Sequence, residues 1–178
     1  MIIFSVETSC DETALALVEA KGDGNNPQFK TIKSLVASQI KIHAPFGGVV
    51  PSLAKREHEK NLPILFEEIF SGKIKMENVD LITVTVGPGL EPALWTGITF
   101  AKKISEKYKK PIIGVNHLEG HLYSFLLSLN AKKDGRFDFF PGVGLVVSGG
   151  HTILVLMKNL FEYKKLGETC DDAVGECF

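Results

Sequence analysis

His117 and His121 stand four residues apart in the segment His-Leu-Glu-Gly-His, and on a helix that spacing sets both imidazoles on one face, a turn apart. Imidazole is a common metal ligand, so the pair can share one ion. The zinc-protease pattern H-E-x-x-H places its glutamate directly after the first histidine. Here Glu119 is two places on, which moves the carboxylate around the helix and denies it a general-base role by analogy. Catalytic metal sites usually take three protein ligands and keep an open position, so a third ligand has to come from elsewhere.

Ser148, Gly149, Gly150, His151 and Thr152 form a second polar cluster between two apolar runs. Paired glycines let backbone N–H groups approach an anion closely, as a phosphate cradle needs, and they equally suit an ordinary hairpin turn. A comparable turn opens the chain: Thr8, Ser9 and Thr13 supply hydroxyls, and Asp11 and Glu12 supply carboxylates that can hold a metal-phosphate group or cap the turn. The glycine-rich run GPGLEPALWTG at 87–97 lacks the G-K-[ST] of a P-loop and does not match G-x-G-x-x-G, so it reads as a turn that starts a helix. Lys102, Lys103, Lys107, Lys109 and Lys110 read as a solvated helix face. Asp171, Asp172 and Glu176 are acidic residues without an assigned role.

The elements that must position these groups are legible as hydrophobic patterns. Residues 2–6 and 13–18 are strand-length apolar runs, and 31–42 alternates as a third strand. Residues 43–51 read as a loop, and 52–70 as a helix that Pro63 breaks or kinks. A strand at 80–86, a helix after the glycine-rich turn and a strand at 111–115 make a strand, helix, strand unit. A helix at 117–129 follows, then the polar break AKKDGRFD. Residues 142–157 repeat the opening plan of apolar strand, short turn, apolar strand, which points to a duplicated fold. The expected class is α/β: a first lobe over 1–130, and over 131–178 the start of a second lobe that would need roughly a hundred more residues to complete.

Composition excludes several alternatives. In 178 residues, 44% are hydrophobic and 23% charged, which is globular and neither collagenous nor disordered. The formal net charge of -1 means that any contact with nucleic acid is made by a local patch. Cys10, Cys170 and Cys177 cannot all pair with one another and show no C-x-x-C spacing, which favours a reducing compartment. No targeting segment and no run of about 18 apolar residues is present, so no membrane partner and a cytoplasmic location are expected.

Six segments in order, VETSCDET, FGGVVPSLAKREH, GPGLEPALWTG, NHLEGH, VVSGGHT and LGETCDDAVGECF, resemble the Gcp/TsaD family of tRNA N(6)-adenosine threonylcarbamoyltransferases over residues 3–178. The resemblance implies an actin-like, sugar-kinase-like ATPase (RNase H-like) fold. It also implies transfer of a threonylcarbamoyl group from threonylcarbamoyl-AMP to the N(6) amine of adenosine 37, in tRNAs reading codons that begin with A. By position, His117 and His121 match metal-binding histidines, with iron the usual divalent ion and zinc also known. Val146, Val147, Ser148, Gly149 and Gly150 match a substrate-binding loop. Asp11 and Glu12 match an acidic pair on the nucleotide side of the cleft, the catalytic candidates. Expected partners are tRNA, an inactive paralogue in a heterodimer, a small ATPase and the enzyme that supplies threonylcarbamoyl-AMP. The family's third metal ligand and further substrate contacts would follow Phe178, so the chain is expected to be an N-terminal portion, inactive in isolation. A non-catalytic scaffold and a related carbamoyltransferase are the competing expectations.

Overall fold

The structure, a computed structural model, describes residues 1–23, 27–128, 140–147 and 152–170. By packing, the chain divides into two compact units, Met1–Lys21 with Phe29–His117, and Gly22–Gln28 with Leu118–Phe178.

The first unit is built on β1 (Ile2–Glu7), β2 (Glu12–Lys21) and β3 (Gln28–Ser38), followed by a single helical turn, α1 (Ile40–His43), and the long helix α2 (Pro51–Ile69). It continues through β4 (Leu81–Gly87), α3 (Glu91–Tyr108) and β5 (Ile112–Asn116). The five strands form one sheet in the order β3-β2-β1-β4-β5. β1 pairs antiparallel with β2 and parallel with β4, and β4 pairs parallel with β5. The parallel pairs require a crossover, and α2 and α3 supply it, packed on each other and on β2 and β4. Alternation on β1 and β2 turns Phe4, Val6, Leu15 and Leu17 inward, where they meet Leu62, Leu65 and Ile69 of α2 and Ala101 and Ile104 of α3. Phe4 packs against both Phe66 and Phe70, with ring centroids 5.7 and 5.3 Å away. Each fully buried side chain of this kind contributes about 1.5–3 kcal/mol.

The second unit contains α4 (His117–Tyr123), whose first residue belongs to the first unit, α5 (Phe125–Ser128) and an antiparallel sheet of β6 (Gly142–Val147), β7 (Thr152–Met157) and β8 (Tyr163–Glu168).

Several local expectations are corrected. The third strand ends at Ser38, and 40–43 is helical rather than extended; residues 44–46, expected as loop, form a 3-10 turn. Pro63 does not break α2: it stands on the exposed side, while buried Leu62, Leu65 and Ile69 hold the opposite face to the sheet. The helix expected at 117–129 is interrupted at Ser124, whose hydroxyl donates to the His121 carbonyl at 2.8 Å and whose N–H reaches the same oxygen at 3.2 Å.

Candidate functional site

The turn between β1 and β2, residues 8–11, is held by four other elements or loops. Thr8 Oγ1 donates to the Ala93 carbonyl in the first turn of α3 at 2.9 Å. The Ser9 carbonyl accepts from Leu90 N at 2.7 Å, the Cys10 carbonyl from His58 Nε2 of α2 at 3.0 Å, and the Asp11 carbonyl from Gln39 N at 2.9 Å. Three successive carbonyls are therefore satisfied from three different places, which ties the backbone of the turn to its neighbours. Gly89 and Gly97 allow this closeness: a Cβ at Gly89 would lie 2.6 Å from the Ser9 carbonyl oxygen, and one at Gly97 2.3 Å from Thr8 Oγ1. Asp11 is half-buried and Glu12 exposed at the start of β2, so the rigid turn carries both carboxylates at its outer end.

A buried polar chain stands behind the turn. His43 Nδ1 accepts from Val50 N at 3.3 Å, so its Nε2 carries the proton and donates to Gln39 Oε1 at 3.0 Å. Gln39 Nε2 and Thr13 Oγ1 then donate to His58 Nδ1 at 3.3 and 2.8 Å, which leaves the His58 proton on Nε2 for the Cys10 carbonyl. Thr13, Gln39, His43 and His58 are all buried. Burial pushes the His58 pKa down against the raising influence of the Cys10 carbonyl, Glu7 and Asp11, in keeping with a neutral ring. Cys10 is exposed at its surface, yet partial desolvation of its thiol and then the neighbouring Asp11 carboxylate push its pKa up to about 11, away from the thiolate.

Glu7 closes β1 beside His117. One carboxylate oxygen accepts from Ser9 N, the other from Thr85 Oγ1 of β4, and this second oxygen lies 3.3 Å from His117 Nδ1. Ser9 Oγ is 3.1 Å from the same nitrogen. Burial alone would raise the Glu7 pKa, but the hydrogen bonds from His117, Ser9 and Thr85 outweigh it and bring the carboxyl down to about 2.

His117 and His121 both lie on α4, half-buried and exposed respectively. Val146 and Val147 end β6 opposite Ile153 and Thr152; Val146 is buried and Val147 exposed. Ser148, Gly149, Gly150 and His151 lie outside the described residues, as do Asp171, Asp172 and Glu176. Among the described residues no group of three or more His, Cys, Asp or Glu is placed to hold a metal ion. No helix among them is long and apolar enough to cross a membrane. Glu7 and the His43, Gln39, His58 chain carry no role in the motif reading. His58 had a signal: it shares the face of Ala54, Leu62, Leu65 and Ile69, where a polar residue needs partners. Glu7 had none, since the partner that marks it is 110 residues away.

The family described as tRNA N6-adenosine threonylcarbamoyltransferase matches the chain over residues 30–178. Proteins of that name from Fervidobacterium nodosum and Dictyoglomus turgidum are 48% and 47% identical across the whole chain. The chain spans about half the length of each, 49% and 50%. Among solved structures, YeaZ from Pseudomonas aeruginosa is similar with a TM-score of 0.52 at 15% identity, over 95% of this chain and 66% of that one. That likeness is one of fold, the actin-like, RNase H-like α/β architecture that the strand order displays.

Proposed function

The chain belongs to the tRNA N6-adenosine threonylcarbamoyltransferase family, and from that premise we propose that it is part of an acyltransferase that moves a threonylcarbamoyl group from threonylcarbamoyl-AMP to N(6) of adenosine 37 in tRNA. The observation that supports the reading beyond the name is the turn pinned at three carbonyls, at whose end Asp11 and Glu12 stand. An exocyclic adenine amine is a weak nucleophile, so its attack needs a fixed proton acceptor and an activated carbonyl. In the proposed step the N(6)–C bond forms, the bond from the carbonyl carbon to the AMP phosphate oxygen breaks, and the amine proton passes to a carboxylate of the turn. Backbone N–H groups of Ser148, Gly149 and Gly150, with Val146 and Val147 leading into them, would receive the phosphate charge of the adenylate.

His117 and His121 would hold the divalent metal, iron first and zinc second. Their fit rests on donor type, on one-turn spacing along α4, and on the anchoring of His117 Nδ1 by Glu7 and Ser9. When bound, such an ion supplies Lewis acidity toward the acyl-adenylate. The remaining ligand would come from residues other than these two. A paralogous heterodimer partner, a small ATPase and the adenylate-forming enzyme would complete the system, in the cytoplasm where tRNA is modified.

The test is transfer by the purified full-length protein, with its partners, from threonylcarbamoyl-AMP to an unmodified tRNA. Threonylcarbamoylated adenosine in the digested tRNA is the expected product. Carbamoylation of small molecules in its place would favour the related carbamoyltransferase, and binding of partners with no transfer at all would favour a scaffold. His121→Ala should lose bound metal and most transfer; an unchanged metal content would remove the ligand assignment.

A further inference from the structure

A carboxylate is an acceptor only, and a ring nitrogen bearing a lone pair is an acceptor too, so the two repel when they face each other. Glu7 Oε2 and His117 Nδ1 face each other at 3.3 Å. The carboxylate is fixed from both sides, by Ser9 N–H on one oxygen and the Thr85 hydroxyl on the other, so it is not poised to turn away. The proton of the neutral ring therefore sits on Nδ1, directed at Glu7 Oε2 and at Ser9 Oγ, 3.1 Å away. A carboxylate behind a ligating imidazole fixes its tautomer and plane and strengthens it as a donor through the other nitrogen.

We propose that Glu7 is the positioning residue for His117: it accepts the hydrogen bond from Nδ1–H, holds the ring in one plane, and so assigns Nε2 as the nitrogen that ligates the metal. This rests on the metal reading of His117 and deepens it. Glu7 acts through His117: its Oε2 is turned to Thr85 and His117, and its Oε1 to Ser9 N. Ser9 is the secondary support of the same nitrogen.

The first measurement is made on the wild type: the tautomer of His117 in the metal-free full-length protein, read from nitrogen shifts of 15N-histidine-labelled material, with His117→Ala used only to assign the signals. The expected state is Nδ1–H. Glu7→Ala should depopulate that tautomer and weaken binding of Zn2+, titrated alone, by about 10–100-fold. Thr85→Val removes one of the two hydrogen bonds that fix the carboxylate and leaves the Ser9 N–H in place, so it should lower stability and depopulate the Nδ1–H tautomer less than Glu7→Ala does. An Nε2–H ring in the wild type would overturn the inference, and so would Glu7→Ala with unchanged tautomer and zinc affinity. It would equally fail if Thr85→Val moved the tautomer more than Glu7→Ala does, since the ring would then not be set through Glu7. Unchanged zinc affinity in His117→Ala would instead strike the metal reading itself, and the wild-type tautomer would show separately whether the Glu7 contact exists.

Discussion

At the scale of single residues, His58 fixes the turn that carries the two carboxylates. It is fully buried, donates to the Cys10 carbonyl and accepts from Thr13 and Gln39, so its removal leaves several polar groups without their partner. We expect His58→Ala to cost at least about 2 kcal/mol in chemical denaturation, through lost packing and unsatisfied groups together. The pH dependence has a definite sign. Burial lowers the folded pKa of His58 below its ordinary value of 6.5, so the unfolded chain binds the proton more readily. The contribution to stability is complete above that ordinary value and is lost as pH falls below it toward the folded value. Denaturation at pH 7 and pH 5 should show the wild type losing more stability between the two than His58→Asn; equal losses would contradict the neutral buried ring. Glu7 acts lower on the scale, its contribution falling away between its ordinary 4.5 and about 2. The sequence displays the histidine pair of α4 as a motif because the spacing is local. Glu7 is invisible there, since only folding brings the end of β1 within reach of His117, which follows β5 on the far side of β4.

At the scale of elements, α3 approaches the β1–β2 turn more closely than a side chain would permit. Alanine gains about 1 kcal/mol over glycine inside a helix, but a Cβ at Gly97 would meet Thr8 Oγ1 at 2.3 Å and disturb its bond to Ala93. The clash outweighs the propensity, and Gly97→Ala should be less stable by about 1–3 kcal/mol. Gly120 on α4 has no atom of the described residues within 4 Å of its would-be Cβ, so Gly120→Ala should be neutral or slightly stabilising. Thermal or chemical denaturation of the two variants checks the contrast, and equal effects would show that packing does not decide. The strong periodic elements were readable: β1, β2, β4, α2, α3 and β5 all lie where apolar patterns placed them. Failures came where tertiary packing overrides local signals. Pro63 is tolerated because α2 is held by its other face, and Ser124 ends a helix whose apolar pattern continues. β8 is exposed along its whole length and carries no apolar alternation to announce it.

At the scale of the whole molecule, an antiparallel pair of consecutive strands occurs twice among the described residues, β1 with β2 and β6 with β7. The repeat and the ordered motifs made the architecture legible without coordinates. Residues 148–151, which follow β6, lie outside the described residues, and the chain spans about half of its curated relatives. The proposed activity therefore belongs to the full-length protein. Its most direct test is nucleoside analysis of bulk tRNA from the source organism, with the native gene depleted and then restored in full-length form. N(6)-threonylcarbamoyladenosine should disappear on depletion, return with the wild-type gene, and stay absent with His121→Ala. Its persistence at normal levels after depletion, or its full return with His121→Ala, would contradict the account.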